Sequence, residues 1–383
     1  MRPATALGVS FHPVTGGGVV FSARDQQLYA LDQASGLCWL SLDAPDAERE
    51  AVTLLRQATG VDTATAAGWF QSCLAQFRGL GLLQGSERPA EDVAPPAPSA
   101  IPPGPSRPVP HPVSGFCCRL PGVDILVRVS AGLRDRLAGM LSATLVPGLA
   151  RVDAVLDIVR TEAGFSARSD GVPLGEAARE AGLAVMVETI LVNLAVHRTP
   201  HLAALHAALV ARDGRGLLLS GESGAGKSTL VTALLSQGWD YGTDELVMLT
   251  ADRLVPMPIA PCIKEGSQAE ASRRFPALAL EPAQDRYGRR VRYLPLRRPA
   301  LAGATADCVV FPRWDAAATP GLTRLAPIEG LTRLLAQCIR VSGRMDAAGV
   351  DRLLAWHAGL RYVAITYAGS DQATALLEQA LAG

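Results

Sequence analysis

The chain has 383 residues, enough for about two or three domains, and 49% are hydrophobic while only 5% are aromatic, so its cores must be built mainly from Leu, Val and Ala. Lys plus Arg equals Asp plus Glu at 36 each, which excludes a global basic field for holding nucleic acid or an anionic membrane. The seven cysteines are scattered and odd in number, and neither a CxxC pair nor an HExxH motif occurs, so neither a disulfide framework nor a structural zinc site is expected. The adjacent pair Cys117-Cys118 reads as two strand thiols facing opposite sides. The start, Met1-Arg-Pro-Ala-Thr, lacks the apolar core of a secretion signal. The most apolar stretch, Ala181 to Val196, carries Glu188 and reads as a buried helix rather than a membrane span. Together these features give the expectation of a soluble, cytoplasmic protein without a nucleic-acid or membrane partner.

In chain order, residues 6–85 read as a small α+β module. Val9 to His12, Gly18 to Ser22 and Gln27 to Leu31 have the length and alternation of strands, the first two separated by a Thr-Gly-Gly-Gly turn. Helical patterns follow from Ser35, over Ala47 to Thr59, and from Thr63 to Arg78 with Phe70, Leu74 and Phe77 on one face. Trp39 and Trp69 either line a binding groove or belong to the core. Residues 86–114 hold ten prolines; such a segment cannot form a packed core and reads as an extended linker, the alternative being a docking motif for a proline-reading domain.

The remainder, 115–383, divides into an accessory lobe (115–200) and a nucleotide-binding core (201–383). In the lobe, Val123 to Val129 and Ala154 to Val159 read as strands, and Leu174 to His197 as one long helix. In the core, Leu205 to Val210 and Gly216 to Ser220 read as a hairpin that can bring His206 near a bound phosphate. The next residues are Gly221-Glu222-Ser223-Gly224-Ala225-Gly226-Lys227-Ser228, which match G-x-x-x-x-G-K-[ST] at every fixed position. The glycines let backbone N–H groups turn toward a polyphosphate, Lys227 supplies charge for the β and γ phosphates, and the Ser228 hydroxyl suits Mg²⁺. A helix from Ser228 through Thr229 to Ser236, closed by Gly238, aims its positive end at the same place. Asp244 and Glu245 precede an apolar run; of such a pair one acid can hold or orient the metal and the other accept a hydroxyl proton, the alternative being an acidic turn before a strand. Lys264, in a Lys-Glu-Gly-Ser turn, either reaches a transferred phosphoryl group or is an exposed turn residue. The basic pairs Arg273-Arg274, Arg289-Arg290 and Arg297-Arg298 read as solvated surface, with an acidic peptide as the alternative partner.

Two family resemblances rest on these residues. The module, through Leu28-Tyr-Ala-Leu-Asp32, Ala34 to Trp39 and Phe77-Arg-Gly-Leu-Gly-Leu-Leu83, resembles the PqqD-like peptide-recognition family. That implies a winged-helix-like domain of three strands and three helices that binds a leader peptide as an added edge strand. The span His206-Ala207, Gly214-Arg-Gly216, Gly221 to Ser228, Gly238-Trp239 and Asp244-Glu245-Leu-Val247 resembles the HPr serine kinase/phosphorylase family in its peptide-modification branch. Weaker likeness continues through Cys262-Ile-Lys264-Glu-Gly-Ser267 and Val309-Val-Phe-Pro-Arg313.

The second resemblance implies an α/β P-loop kinase domain of HPr-kinase/PEP-carboxykinase-like type. ATP and Mg²⁺ would be bound at residues 221–229, Glu245 would sit at the position of the catalytic acid with Asp244 beside it, and His206 would be an active-site histidine. Such a chain would phosphorylate a serine hydroxyl of a peptide or protein, as the lasso-peptide kinases of the family do to their precursors, and would form a homo-oligomer. Thr229 stands where the family has Glu, Ala207 where it has Gly and Glu245 where it has Asp, and the ELRG-type signature tied to HPr handling is absent after residue 250. The implied activity is therefore kinase chemistry without HPr specificity. The alternatives are a nucleotide-binding peptide presenter that transfers nothing, and a small-molecule hydroxyl kinase.

Overall fold

A computed structural model describes residues 3–86, 106–109, 115–222, 224–296, 300–341 and 345–382. Most of the proline-rich segment, Ser223 and the Arg297-Arg298 pair lie outside the described residues. The chain is mixed α and β and forms two compact units, one of residues 1–95 with 324–362, the other of 96–323 with 363–383.

The first unit begins with strands Val9–Val14, Gly17–Ser22 and Gln27–Asp32 in an antiparallel meander. Gly16 turns the first hairpin at φ +84°, a left-handed conformation in which a Cβ is strained. Gly17, expected in that turn, lies in the strand instead, where a Cβ would sit 2.0 Å from the Leu31 carbonyl oxygen. Three helices follow, Gln33–Leu40, Ala47–Thr59 and Thr63–Gly79, and each is started by an aspartate. Asp32, Asp46 and Asp62 accept from the amides of Ser35, Arg49 and Thr65, which satisfies one otherwise orphaned donor at each helix start. The apolar faces meet the sheet around Val20, Leu31, Leu55, Phe70 and Phe77. Trp39 is a core residue, stacked on Phe11 at 6.3 Å and edge-on to Phe77 at 5.0 Å, whereas Trp69 is exposed.

The unit also takes in helices Pro327–Leu335 and Ala347–Ala358, a departure from the contiguous 6–85 module expected from the sequence. His12 Nδ1 meets Asp351 Oδ1 at 2.8 Å, and the Gln26 amide bonds both the N–H and the carbonyl of Met345. These partners are more than 300 positions apart, so no local pattern announces them.

In the second unit, a five-stranded sheet runs in the order Val172–Ala177, Gly164–Ser169, Ala154–Thr161, Val123–Arg128, Gly115–Leu120. Cys118 is buried in its main core while Cys117 faces a separate small cluster, as alternation along a strand requires. The helix expected over Leu174 to His197 is not continuous. Val172–Ala177 pairs as an edge strand with Gly164–Ser169, and the helix is Leu183–Arg198. Pairing to a neighbouring strand overrode the apolar period there. Glu180–Arg198 is long and apolar enough to cross a membrane by length and composition; in this unit its Leu183, Val187, Leu191 and Leu194 are core. The same core continues through Ala204, Leu246, Met248 and Tyr293, so residues 115–200 and the chain from 201 on share one hydrophobic interior. A second sheet carries Asp240–Thr243, Ala207–Arg212, Arg215–Ser220 and Ala306–Trp314 as neighbours, with Leu217, Leu219 and Val310 in its own core.

Phe77→Ala removes a fully buried ring that also supports Trp39. The expected cost is about 3–5 kcal/mol, read as loss of amide protection across residues 9–32 in hydrogen exchange, with protection of residues 207–220 retained.

Candidate active site

Strand Arg215–Ser220 lies between Ala207–Arg212, to which it is antiparallel, and Ala306–Trp314, to which it is parallel. It delivers the chain into the glycine-rich loop, where Gly224 and Gly226 take φ of +97° and +94°. Gly226 has a second reason to be glycine: a Cβ there would lie 2.2 Å from the Tyr367 hydroxyl. Helix Lys227–Ser236 starts immediately after it. Lys227 is buried, and its ammonium donates to the carbonyls of Gly221 and Glu222. The loop's own oxygens thus hold the cation at the helix start.

His206 and the acidic pair reach this loop for a topological reason. Strand Ala203–Leu205 pairs with Val247–Leu249, whereas Ala207–Arg212 pairs with Asp240–Thr243. Both chains therefore change sheets side by side, one at His206 and the other at Asp244-Glu245-Leu246. Thr243 Oγ1 steadies the second crossing by accepting from the amides of Glu245 and Leu246 at 3.2 and 3.4 Å. A cavity of about 480 Å³ opens here, lined by His206, Lys227, Ser228, Asp244, Glu245 and Lys264 together with Gly224, Gly226 and Thr229. Thr229 Oγ1 contacts Ser267 Oγ at 2.9 Å. Gly221, Glu222 and Ala225 are not lining residues; the first two take part through their carbonyls. Lys264 ends strand Cys262–Lys264 and stands at the start of helix Glu265–Arg274, on the cavity wall.

Asp244 is fully buried and accepts from Tyr241 Oη at 3.2 Å and from the Cys262 amide at 3.3 Å. Burial, reinforced by the neighbouring Glu245 charge, pushes its carboxyl up to about 7. Burial, reinforced by Lys227, lowers the His206 imidazole, and burial also lowers the Lys227 ammonium. Each group is thus moved toward neutrality by desolvation.

Arg286 was not singled out from the sequence, yet it organises the cavity. It ends strand Gln284–Arg286, whose hairpin to Arg289–Tyr293 turns through Tyr287 and Gly288 at φ +52° and +76°, the signature of a two-residue type I′ turn. Its Nη2 lies 2.9 Å from Glu245 Oε1 and 3.0 Å from Glu188 Oε1. Glu188, on helix Leu183–Arg198, also accepts from Tyr293 Oη at 2.7 Å. Burial raises Glu188, and Arg286 opposes that rise; burial works against the Arg286 charge, but Glu188 and Glu245 outweigh it and raise its pKa further. The sequence signal was Glu188 itself, since an acid in an apolar helix needs a buried cation. Arg289 is exposed, as expected, and also borders the cavity. The arrangement offers a helix start and an ammonium for an oligophosphate, a hydroxyl and a carboxylate for a divalent cation, and a second carboxylate held by a guanidinium.

No protein-family model matches the chain, and a comparison with curated proteins returns no match.

Arg286→Met leaves Glu188 buried without its cation, and the expected loss is about 3–5 kcal/mol. Adding Glu188→Gln to it should recover much of that loss in urea titrations, whereas two additive losses would contradict the pairing. Asp244 gives a pH dependence. Its carboxyl is raised in the folded state, so the stability it supports is complete below pH 4 and is lost as pH rises through about 7. Asp244→Asn should therefore match wild type near pH 4 and exceed it by about 4 kcal/mol at pH 8. An advantage that does not change with pH would count against this account.

Proposed function

We propose that the chain is an ATP-dependent kinase, related to the HPr serine kinase/phosphorylase family, that transfers the γ-phosphoryl group to a serine hydroxyl of a peptide or protein. The observation that carries this reading is the convergence of Lys227, Ser228, Asp244, Glu245 and His206 on one cavity at the start of helix Lys227–Ser236. On this reading the loop amides and Lys227 bind the β and γ phosphates, and Lys227 gives up the Gly221 and Glu222 carbonyls to do so. Ser228 and Asp244 would hold Mg²⁺. Two adjacent carboxylates, one of them raised to about 7, fit a site that gains from a cation. Held there, the ion would supply neutralisation of phosphate charge. Glu245 accepts the proton of the serine hydroxyl through Oε2, while Arg286 holds Oε1 and fixes the carboxylate. Lys264 faces the transferred group, where negative charge develops, and His206, kept neutral by burial, donates or accepts a hydrogen bond beside it.

The N-terminal module would supply the peptide. Strands Val9–Val14 and Gln27–Asp32 are the outer strands of its three-stranded sheet, and an outer strand offers backbone groups to an added strand. A leader held there has a raised effective concentration at the kinase across the proline-rich linker.

A second reading is favoured by the Arg286–Glu245 pair, because the guanidinium already occupies one oxygen of the carboxylate that would take the proton. In that case the protein binds nucleotide and presents a peptide without transferring phosphate. Transfer of labelled γ-phosphate from ATP to leader-bearing peptides separates the two. A kinase labels a peptide serine, and Glu245→Gln lowers the rate at least a hundredfold while ATP still binds. Nucleotide and peptide binding with no labelled serine in wild type would establish the presenter instead.

A further inference from the structure

In the second sheet, the strand that feeds the glycine-rich loop, Arg215–Ser220, has a different neighbour on each side. On one side, beyond Ala207–Arg212, strand Asp240–Thr243 leads into Asp244 and Glu245. On the other side runs Ala306–Trp314, parallel to the loop strand, so its carboxyl end points to the same edge of the sheet. Ligands of open α/β sheets gather outside such carboxyl ends. A nucleotide held in the loop with its γ-phosphate toward the two acids directs its nucleoside end to the opposite side, where Trp314 stands.

Trp314 is a fixed surface beside the loop. Gly226 lines the cavity, and a Cβ added to it would lie 3.4 Å from the Trp314 Cβ. The Gly226 carbonyl accepts from Tyr367 Oη at 3.4 Å. The Trp314 indole N–H donates to the Ala368 carbonyl at 3.2 Å, and the Asp315 amide donates to the Tyr367 carbonyl at 3.0 Å. Gln372 Oε1 accepts from the amides of Ala368 and Gly369 at 3.2 Å each, so the anchor of the indole is itself tied down. A Cβ added at Gly224 or at Gly369 would meet nothing within 4 Å, so the chain leaves room both on the loop and at that anchor. The Trp314 side is nevertheless 55% exposed, whereas Trp39 and Trp239 are buried. A large apolar ring kept in water at a fixed position gains from a flat partner laid on it.

We propose that Trp314 is the platform on which the base of the nucleotide stacks, and that it serves adenine and guanine alike. Every base has a π face. The one polar atom of the indole is a donor already committed to Ala368, so the platform reads no base edge. The assignment rests on the nucleotide reading of the cavity, and it divides the ligand between the two sides of the loop strand: phosphates and metal toward the acids, base toward Trp314.

The test is calorimetric titration of the full chain with the Mg²⁺ complexes of ATP, GTP and tripolyphosphate, the last having the phosphates without a base. Trp314→Ala should weaken ATP and GTP binding about tenfold each and leave tripolyphosphate binding unchanged. Trp314→Phe keeps a stacking face and lacks the N–H, as Ala does, and should lose much less for both nucleotides. Unchanged ATP binding by Trp314→Ala overturns the platform. So does an equal loss for tripolyphosphate, which would make Trp314 a support of the loop, and so do equal losses in the Phe and Ala variants, which would trace the effect to the Ala368 bond. A loss for ATP alone overturns the shared use by both purines. Wild type that binds tripolyphosphate but neither nucleotide overturns the platform and leaves the loop's phosphate role standing. Wild type that binds none of the three overturns the nucleotide reading, and the platform with it.

Discussion

The guanidinium of Arg286 stands between two carboxylates drawn from distant parts of the chain, Glu188 on the lobe helix and Glu245 at the cavity. Glu188 is buried while Glu245 is only partly so, and a buried carboxylate is tolerable only with a cation and hydrogen bonds around it. The shared cation therefore ties helix Leu183–Arg198 to the crossing at Asp244-Glu245, and Tyr293 closes the network from the strand that follows the Arg286 hairpin. The continuous core through Leu194, Leu246 and Tyr293 packs around this polar centre. The accessory lobe is thus part of what sets the position of a site carboxylate.

Around that centre, the site follows from where strands stop. An extended chain keeps its direction while it remains in one ladder, and it is released where the ladder ends. His206 and Asp244-Glu245 lie at two adjacent releases, so their side chains converge without any long loop. The glycine-rich turn is a third release, with left-handed φ at Gly224 and Gly226 and a helix start directly beyond. Desolvation then acts on three of the titratable groups brought together. It raises Asp244 and lowers His206 and Lys227, leaving a site poised for a highly charged ligand.

Local physics made much of this legible in the sequence. The glycine-lysine-serine spacing requires one backbone geometry, and it folds as strand, loop and helix in the expected order. Apolar spacing placed the three helices of the N-terminal module within a few residues, and the structure shows Asp32, Asp46 and Asp62 capping them. Leu174 to His197 was misread because an edge strand and a buried helix present the same apolar residues when neither neighbour is known. Val172–Ala177 became a strand by pairing with Gly164–Ser169.

The sequence alone determined the elements whose cause is local, namely the phosphate-loop pattern, the amphipathic helices and the acidic pair before an apolar run. Only the tertiary structure decided which distant charges meet. Arg286 reads as one of many arginines until the hairpin at Tyr287-Gly288 folds it onto Glu188 and Glu245. Residues 324–362 read as a continuation of the second domain until His12 meets Asp351 and Gln26 meets Met345. Periodicity and capping act over one or two turns of chain and leave a mark in adjacent residues. Charge pairing in a dry interior acts through space, so its partners carry no mark at any fixed spacing.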